Sequence, residues 1–499
     1  MNFQRKIGFD NNMYLEKQSE QILKRVDDFG GRLYLELGGK LFDDFHASRV
    51  LPGFKPDSKL QMLLKLREHA EVVIVISASD IENNKIRRDL GISYDSDVLR
   101  LMDAFTSAGL FVGSVVITQF DGQPSAIKFK EKLTGLGIKV FIHYPIEGYP
   151  YNVKKIVSEE GFGKNEYIET SRPVVIMTAP GPGSGKMATC LSQLYHDNLR
   201  GIKAGYAKFE TFPVWNLPLK HPVNLAYEAA TADLNDVNMI DPYHLEAYGI
   251  STVNYNRDVE VFPVLNAMFE KIEGESPYKS PTDMGVNMVG YCITDDALCC
   301  KASHEEIVRR YFTTLCDKKM GQQNDKAIAK IESLMNQAGI SAESVRPAVK
   351  AAISKSQETG NRPAVAIELP NGEIVTGKTS DLLGAASAAI LNSLKVVSGI
   401  DDKELLIQRE IIEPIQALKT GILGNHNPRL HTDETLIALT ISAVTNEKAK
   451  KAVDVLKELK GSEAHATVIL SQIDRDTFRK LGINLTCEPH HESKKLYHK

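Results

Sequence analysis

Lys186 is the residue with the most chemistry arranged around it. It closes the turn APGPGSGK (179–186), which follows a short apolar run at 174–177 and precedes an amphipathic helical pattern from about Met187. Strand, glycine-rich turn, lysine and helix is the order that phosphate binding calls for. A helix start brings unpaired backbone N–H groups and the positive end of the macrodipole. Glycine lets the backbone approach an anion without a Cβ in the way, and a lysine ammonium reaches outer phosphates as a mobile point charge. Gly181, Gly183, Ser184, Gly185 and Lys186 are therefore the candidate phosphate-binding set. The pattern departs from G-x-x-x-x-G-K-[ST]. Aligned on Gly185-Lys186, the first glycine position holds Pro180 and the hydroxyl position holds Met187, with Thr189 out of register for the usual magnesium contact. A tight strand-to-helix turn that simply needs glycine is the plainer alternative, and it leaves Lys186 and Ser184 unexplained.

Further charged and polar groups could serve such a site. In IKAGYAKFETF (202–212), Lys208 and Glu210 share one face of a strand by period two, so they are either solvated or line a polar cleft. Lys186 and Lys208 are the catalytic candidates. Lys40, in Gly38-Gly39-Lys40 at the end of a strand over 32–37, is a substrate candidate that would assist them. The stretch 221–249 supplies Asp233, Asp236 and Asp241; Asp233 is the candidate for magnesium, which needs only one or two carboxylates beside phosphate oxygens and water. Helix capping is the rival role for each aspartate. The loop SPYKSPTDMGVN (276–287) carries Lys279, Thr282, Asp283 and Asn287 on a backbone stiffened by two prolines, a substrate-recognition loop or a boundary between subdomains. His426, Asn427, Arg429, His431, Asp433 and Glu434 form the richest polar cluster of the C-terminal half, with Arg429 and His431 as substrate candidates and a capped helix entry as the alternative.

The totals bound the classes. At 499 residues the chain is long enough for two to four domains with well-buried cores. Its 42 % apolar and 25 % charged residues are ordinary for a globular protein, and a net charge of −4 gives no global footprint for nucleic acid. No segment approaches ~18 uncharged apolar residues, and the first residues lack the apolar core of a secretory signal, so a cytoplasmic protein with no membrane partner is expected. Six cysteines without C-x-x-C read as reduced thiols. Cys292, Cys299, Cys300 and His304 cluster in sequence, but adjacent cysteines suit one tetrahedral ion poorly and no zinc is expected.

The elements that must position these groups alternate. Helical spacing over 14–29, 58–70, 95–108, 125–135 and 152–159 separates apolar runs at 32–37, 72–76, 112–118, 138–142 and 174–177. The run VVIVI (72–76) suits a strand covered on both faces. This is the sign of a doubly wound, mostly parallel α/β sheet. If the strands are parallel, Gly38-Gly39-Lys40, 77–80, Asp121, His143 and the 179–186 turn share the carboxyl edge, where ligands bind at a reversal of strand order. Asp80 and Asp121 are also common turn residues, and His143 is also readable as a satisfied structural histidine.

From Ser303, where SHEE (303–306) fits a capping box, the character turns helical. A break at 357–363 precedes a hairpin with Asn371-Gly372 at its turn. A small-residue helix at 381–397, a helix starting at Asp401, helices at 435–445 and 447–459, and strands at 466–470 and 484–487 follow. The expected organisation is an α/β phosphate-binding domain over 1–302 with a P-loop-like turn, a helical subdomain over 303–358, and a C-terminal α/β subdomain over 359–499. The last has a deaminase-like layout but lacks the H-x-E and P-C-x-x-C zinc ligands.

The GGK strand end, APGPGSGKM, KFETFPVWN, YKSPTDMGVNM, NPRLHTDE and the KKLYHK terminus together make the chain similar, over nearly its whole length, to one family of long bacterial proteins of unknown function. The resemblance implies a multi-subdomain α/β protein and little chemistry. Some members are labelled ATP-dependent peptidases, but this sequence has no HExxH motif and no recognisable serine or cysteine nucleophile setting. Two functions from different classes follow. The first is an enzyme binding a nucleotide, with magnesium, or a phosphorylated small molecule, and carrying out phosphoryl transfer or hydrolysis. The second is a non-catalytic ligand-sensing or scaffold homo-oligomer, with subunit contacts from 303–358 and the 381–397 helix.

Overall fold

The structure, a computed structural model, describes residues 6–38, 41–42, 44–87, 90–234, 236–322 and 325–492. Its contacts separate two compact units. One comprises Ile7–Tyr227 with Asp236–Cys299; the other is built on the chain from Cys300 onward and takes in a segment beginning at Glu228. No described helix is long and apolar enough to cross a membrane.

The first unit is a mixed α/β fold around a seven-stranded sheet. In chain order its principal elements are α1 (Asn11–Asp28), β1 (Leu33–Leu37), β2 (Ala70–Ser77), α2 (Tyr94–Ser107), β3 (Phe111–Thr118), α3 (Pro124–Gly135), β4 (Val140–Ile142), β5 (Val174–Thr178), α4 (Lys186–Leu199), β6 (Gly205–Phe209), α5 (Asn256–Glu273) and β7 (Gly285–Val286). The order across the sheet is β7-β6-β1-β5-β2-β3-β4, and every pairing is parallel. The continuous apolar runs become the interior strands: all eight residues of β2 and all five of β5 are buried. Tyr34, Val73, Val75, Val175, Met177 and Tyr206 pack with Leu191 and Leu194 of α4 and Phe262 and Leu265 of α5. The alternate residues face the other way by period two, and α1 and α2 pack against the sheet as well.

The topology has one reversal. After β1 the chain goes to β2, on the far side of β5; after β5 it goes to β6, on the far side of β1. Two adjacent strands therefore send their following loops in opposite directions, the arrangement at whose carboxyl ends open α/β sheets bind their ligands.

The second unit holds α6 (Asp296–Lys319, whose first turn belongs to the other unit), α7 (Pro347–Glu358), β8 (Ala364–Glu368), β9 (Ile374–Lys378), α8 (Ala385–Ser398), α9 (Thr432–Ser442), β10 (Glu463–Ala466), α10 (Gln472–Leu481) and β11 (Asn484–Cys487). Its sheet runs β9-β8-β10-β11, with β8–β9 and β8–β10 antiparallel and β10–β11 parallel. The hairpin turns through Gly372 at φ +85°. Ala366 packs with Ala348 and Ala352 of α7, while Val365 and Ile367 join the cluster that contains α8. The small residues of α8 allow that approach. A Cβ on Gly377 would lie 2.1 Å from the Ala389 nitrogen. This helix, expected to supply subunit contacts, buries its small-residue run inside its own unit.

Several element expectations need correction. Ser303 does not cap a helix. It is buried inside α6, which starts seven residues earlier where the Asp295 carboxylate accepts the Leu298 N–H at 3.0 Å. Asp401 does not start a helix: its carboxylate accepts the Lys403 N–H at 2.9 Å in a local turn, and the next helix begins at Arg409. The strand expected at 466–470 lies at Glu463–Ala466, where the Glu463 carboxylate takes both Arg309 and Arg346. The helix expected over 152–159 is a single turn, Val153–Ile156.

Candidate functional site

The 179–186 turn leaves β5 at the reversal. Gly183 and Gly185 hold φ of +77° and +89°, a region that L side chains avoid, and Gly185 is the N-cap of α4. A Cβ at Gly181 would come within 2.3 Å of the Tyr94 hydroxyl. The turn is anchored from β3, where Thr118 Oγ1 donates to the Ser184 carbonyl at 2.6 Å. Ser184 is 2 % exposed, and its hydroxyl has no hydrogen-bond partner among the described residues. The N–H groups of Lys186, Met187 and Ala188 are the first-turn donors of α4 and meet no described acceptor within the chain. Lys186 is half-buried.

Beside the turn lies a set of charges on the α4 and α5 side of the sheet. Glu36 on β1 is the Cα partner of Met177 on β5 and of Lys208 on β6. Its Oε2 accepts the buried Tyr206 hydroxyl at 2.8 Å. Lys208 forms ion pairs with Glu210, at 2.9 Å, and with Asp258 at the start of α5. Burial would lower the Lys208 ammonium, but Asp258 and Glu210 outweigh it and hold it well above the ordinary lysine range. Glu210 also accepts Trp215 Nε1 at 3.1 Å. Burial pushes the Glu210 carboxyl up to about 7; Lys208 opposes that, and repulsion from the Asp258 charge adds to it. Gly285 has to be glycine here, since a Cβ would lie 2.5 Å from the Trp215 ring and 3.1 Å from Glu210 Oε2. Met187, Lys208 and Asp258 line one cavity of about 10 Å³, so this cluster and the start of α4 are neighbours. Lys186 and Glu36 both act on the buried Cys190 thiol, in opposite directions.

On the β2 and β3 side uncharged groups link the strand ends. Ser77 Oγ lies 2.7 Å from Ser79 Oγ and donates to Gln119 Oε1 at 3.0 Å. Gln119 holds φ of +53°, a strained conformation for a non-glycine residue at a strand end. His143 at the end of β4 is 3 % exposed, and its Nε2 lies 3.1 Å from the Glu166 carbonyl. Burial drives it down to about 4, so it is a neutral structural histidine. Asp80 pairs with Lys85 at 3.0 Å, and Asp121 is exposed.

The chain thus brings Gly181, Gly183, Ser184, Gly185, Lys186 and Lys208 together, with Pro281 and Met284 of the 276–287 loop on the same small cavity, while the side chains of the other described candidates have other partners or are exposed. Lys40 lies outside the described residues. Asp233 is exposed on a short 3₁₀ turn, Ala232–Leu234, in the other compact unit. Asp236 pairs with Arg257, and Asp241 caps Pro242–Tyr248. In the 276–287 loop, Thr282 Oγ1 donates to Asp241 Oδ2 at 2.7 Å and Asp283 accepts from Tyr248 at 2.9 Å. Asn287 donates to the Thr211 and Pro213 carbonyls. Lys279 is exposed, over the Tyr248 ring at 5.7 Å. That loop spends its polar groups on its own scaffold. Arg429 pairs with Glu492 at 2.7 Å. His431, the N-cap of α9, lies 3.1 Å from Asp474.

Sequence reasoning missed Glu36 and Asp258. The signal for Glu36 was present: it is the one charged residue in the run LYLEL (33–37), which otherwise reads as a buried strand. Asp258 lies 50 residues from Lys208 and carries no local signal.

Two family models match the chain: "Domain of unknown function DUF1846, N-terminal" over residues 7–339 and its C-terminal counterpart over 344–497. A UPF0371 protein of Streptococcus thermophilus is 58 % identical over 495 residues, covering 99 % of this chain and 100 % of the relative. Another from Streptococcus pneumoniae is 57 % identical over 495 residues with the same coverage, and one from Streptococcus pyogenes is 56 % identical over 493 residues, 99 % of each chain. With both halves matched and relatives aligned end to end, the chain belongs to the DUF1846 family, the UPF0371 proteins of unknown function.

Proposed function

We propose that the crevice between β1 and β5 binds the phosphate of a phosphorylated small molecule or nucleotide. The observation that carries this reading is the buried Ser184 hydroxyl, which has no partner among the described residues and sits in a glycine-rich turn at a helix start. A buried hydroxyl left unpaired costs about 1–3 kcal/mol, which a bound anion would recover. The first-turn N–H groups of α4 and Lys186 supply the complementary charge. Preorganised donors of this kind also stabilise charge in phosphoryl chemistry. Met187 occupies the position where a P-loop places its magnesium-ligating hydroxyl, so the reading stops at phosphate binding and leaves metal-assisted hydrolysis aside. Lys208, shared by two carboxylates, acts as a structural cation beside the site. The second unit's strand order supports a deaminase-like layout; the start of its α8, Ala385-Ala-Ser, offers no metal ligand.

The test is a thermal-shift series with the wild type and Lys186→Ala against inorganic phosphate, nucleotides and sugar phosphates, each with and without magnesium. A ligand selective for the folded state raises the melting temperature by mass action. A shift present in the wild type and absent in the variant supports the reading; no shift with any phosphate refutes it.

A second reading, a scaffold homo-oligomer, is supported by Ile437, Ile441 and Val444. These stand 61 %, 55 % and 83 % exposed at helical spacing on and just beyond α9. Light scattering on the full chain decides it.

A further inference from the structure

We infer that Glu36 is the specificity-determining residue of this crevice, and that it reads a hydroxyl or ammonium donor carried by the skeleton of the phosphorylated ligand. The inference rests on the phosphate reading above. A carboxylate inside a parallel strand flanked on both sides is out of place unless something pairs with it. Glu36 is half-buried, and its one hydrogen-bond partner among the described residues is the Tyr206 hydroxyl, which holds Oε2 at 2.8 Å. It makes no ion pair with a described lysine or arginine, and Lys208, its Cα partner in the sheet, is engaged by Asp258 and Glu210 instead. Its other Cα partner, Met177, sits two residues before the turn. Glu36 is therefore an anchored acceptor with spare capacity, next to the strand that delivers the anion-binding turn.

The charges around the crevice sharpen the point. Glu36, Glu210 and Asp258 stand against Lys186 and Lys208. A phosphate with nothing else to offer adds negative charge beside a carboxylate that no described cation pairs with. A ligand whose carbon skeleton bears a donor near its phosphate engages both: the anion at the turn, the donor at Glu36. Charge-assisted hydrogen bonds of that kind are the strong ones.

The experiment compares dissociation constants by calorimetry for inorganic phosphate, propyl phosphate, glycerol phosphate and phosphoethanolamine. It uses wild type, Glu36→Gln and Glu36→Asp, in EDTA and in magnesium. Glu36→Gln keeps an acceptor for Tyr206, and Glu36→Asp keeps the charge with a shorter reach. The wild type is expected to bind glycerol phosphate or phosphoethanolamine about tenfold more tightly than propyl phosphate in EDTA; which of the two is preferred tells hydroxyl from ammonium. Glu36→Gln should bring that ratio close to one while leaving inorganic phosphate as tight or tighter, and Glu36→Asp should reduce it. Inorganic phosphate binding with no preference, or a preference that survives Glu36→Gln, overturns the inference and leaves the phosphate reading standing. A preference that requires magnesium assigns Glu36 to a metal and also overturns it. Failure of every phosphate to bind the wild type removes both.

Discussion

Glu36 and Lys208 are Cα partners across β1 and β6 and yet do not pair. Glu36 takes the Tyr206 hydroxyl at 2.8 Å, while Lys208 is held between Glu210, 2.9 Å away, and Asp258. One ammonium serves two carboxylates, and a third carboxylate beside it has none among the described residues. The protein maintains an electrostatic imbalance at the carboxyl edge of its sheet, on the side of the helix start where Lys186 stands.

That imbalance has a pH signature. Burial raises Glu210 from an ordinary 4.5 to about 7. Between those values the folded state binds the proton and the unfolded state does not, so stability falls as pH rises from about 4.5 to 7 and then levels off. Glu210→Gln should flatten the melting temperature across that window relative to wild type. Equal slopes in the two proteins would show that Glu210 titrates normally.

His431 and Asp474 form a second pH-sensitive pair. The hydrogen bond to Asp474 raises His431 above its ordinary 6.5. Its stabilisation is complete below 6.5 and is lost as pH rises through the folded value. Burial acts upward on Asp474, but His431, the Thr432 N–H and Ser471 outweigh it and hold the carboxyl below 3.8. That contribution is present above 3.8 and is lost as pH falls through the lower folded value. His431→Gln should lower the melting temperature at pH 5 more than at pH 8. A uniform loss would assign the histidine a capping role alone.

The second unit is pinned by buried charge. Arg346, fully buried, donates to Glu463, to the Ala464 carbonyl at 2.9 Å and to the Asn484 carbonyl at 3.1 Å, while Arg309 meets both oxygens of Glu463 at 2.9 Å. Removing Arg346 takes one of the two arginines from the buried Glu463 carboxylate and a donor from the Ala464 and Asn484 carbonyls. Arg346→Met should cost about 3–5 kcal/mol in denaturant unfolding. Arg346→Lys should cost nearly as much, because a single ammonium cannot reproduce the planar fork that spans β10 and β11. A loss under 1 kcal/mol in either variant would contradict a structural role.

The two left-handed glycines of the turn should separate in mutagenesis. A Cβ at Gly183 meets nothing within 4 Å, so Gly183→Ala carries backbone strain alone, about 1–2 kcal/mol. At Gly185 the same strain is joined by Thr118 Oγ1 at 3.1 Å, the group that anchors the turn. Gly185→Ala should therefore lower ligand-free stability more than Gly183→Ala. The reverse order would mean that Thr118 yields without cost.

The central strands were legible because burial on both faces leaves uninterrupted apolar runs, as in β2 and β5. The turn was legible because glycine and lysine mark it locally. The edge strand β7 was not, since two residues carry no period. α10 was overlooked, and β10 was placed three residues late, because Glu463 in a strand makes sense only once Arg309 and Arg346 are brought to it from over 110 residues away. The same holds for the site. Lys208 and Glu210 share a face as their spacing implied, but Asp258, which decides the charge balance, comes from another element.

The strand order also dictates when this fold can be completed. β1 is made early in translation, yet both of its neighbours, β5 and β6, come from residues 174–209. β2, β3 and β4 can pair with one another as they emerge, whereas β1 waits for more than 130 residues until β5 is inserted between it and β2. Long-range pairing of this kind is slow and exposes unpaired edges meanwhile. A nascent chain that has emerged as far as residue 170 therefore carries a half-sheet with an orphaned first strand, and the strand that joins the two is the one that brings the glycine-rich turn into place.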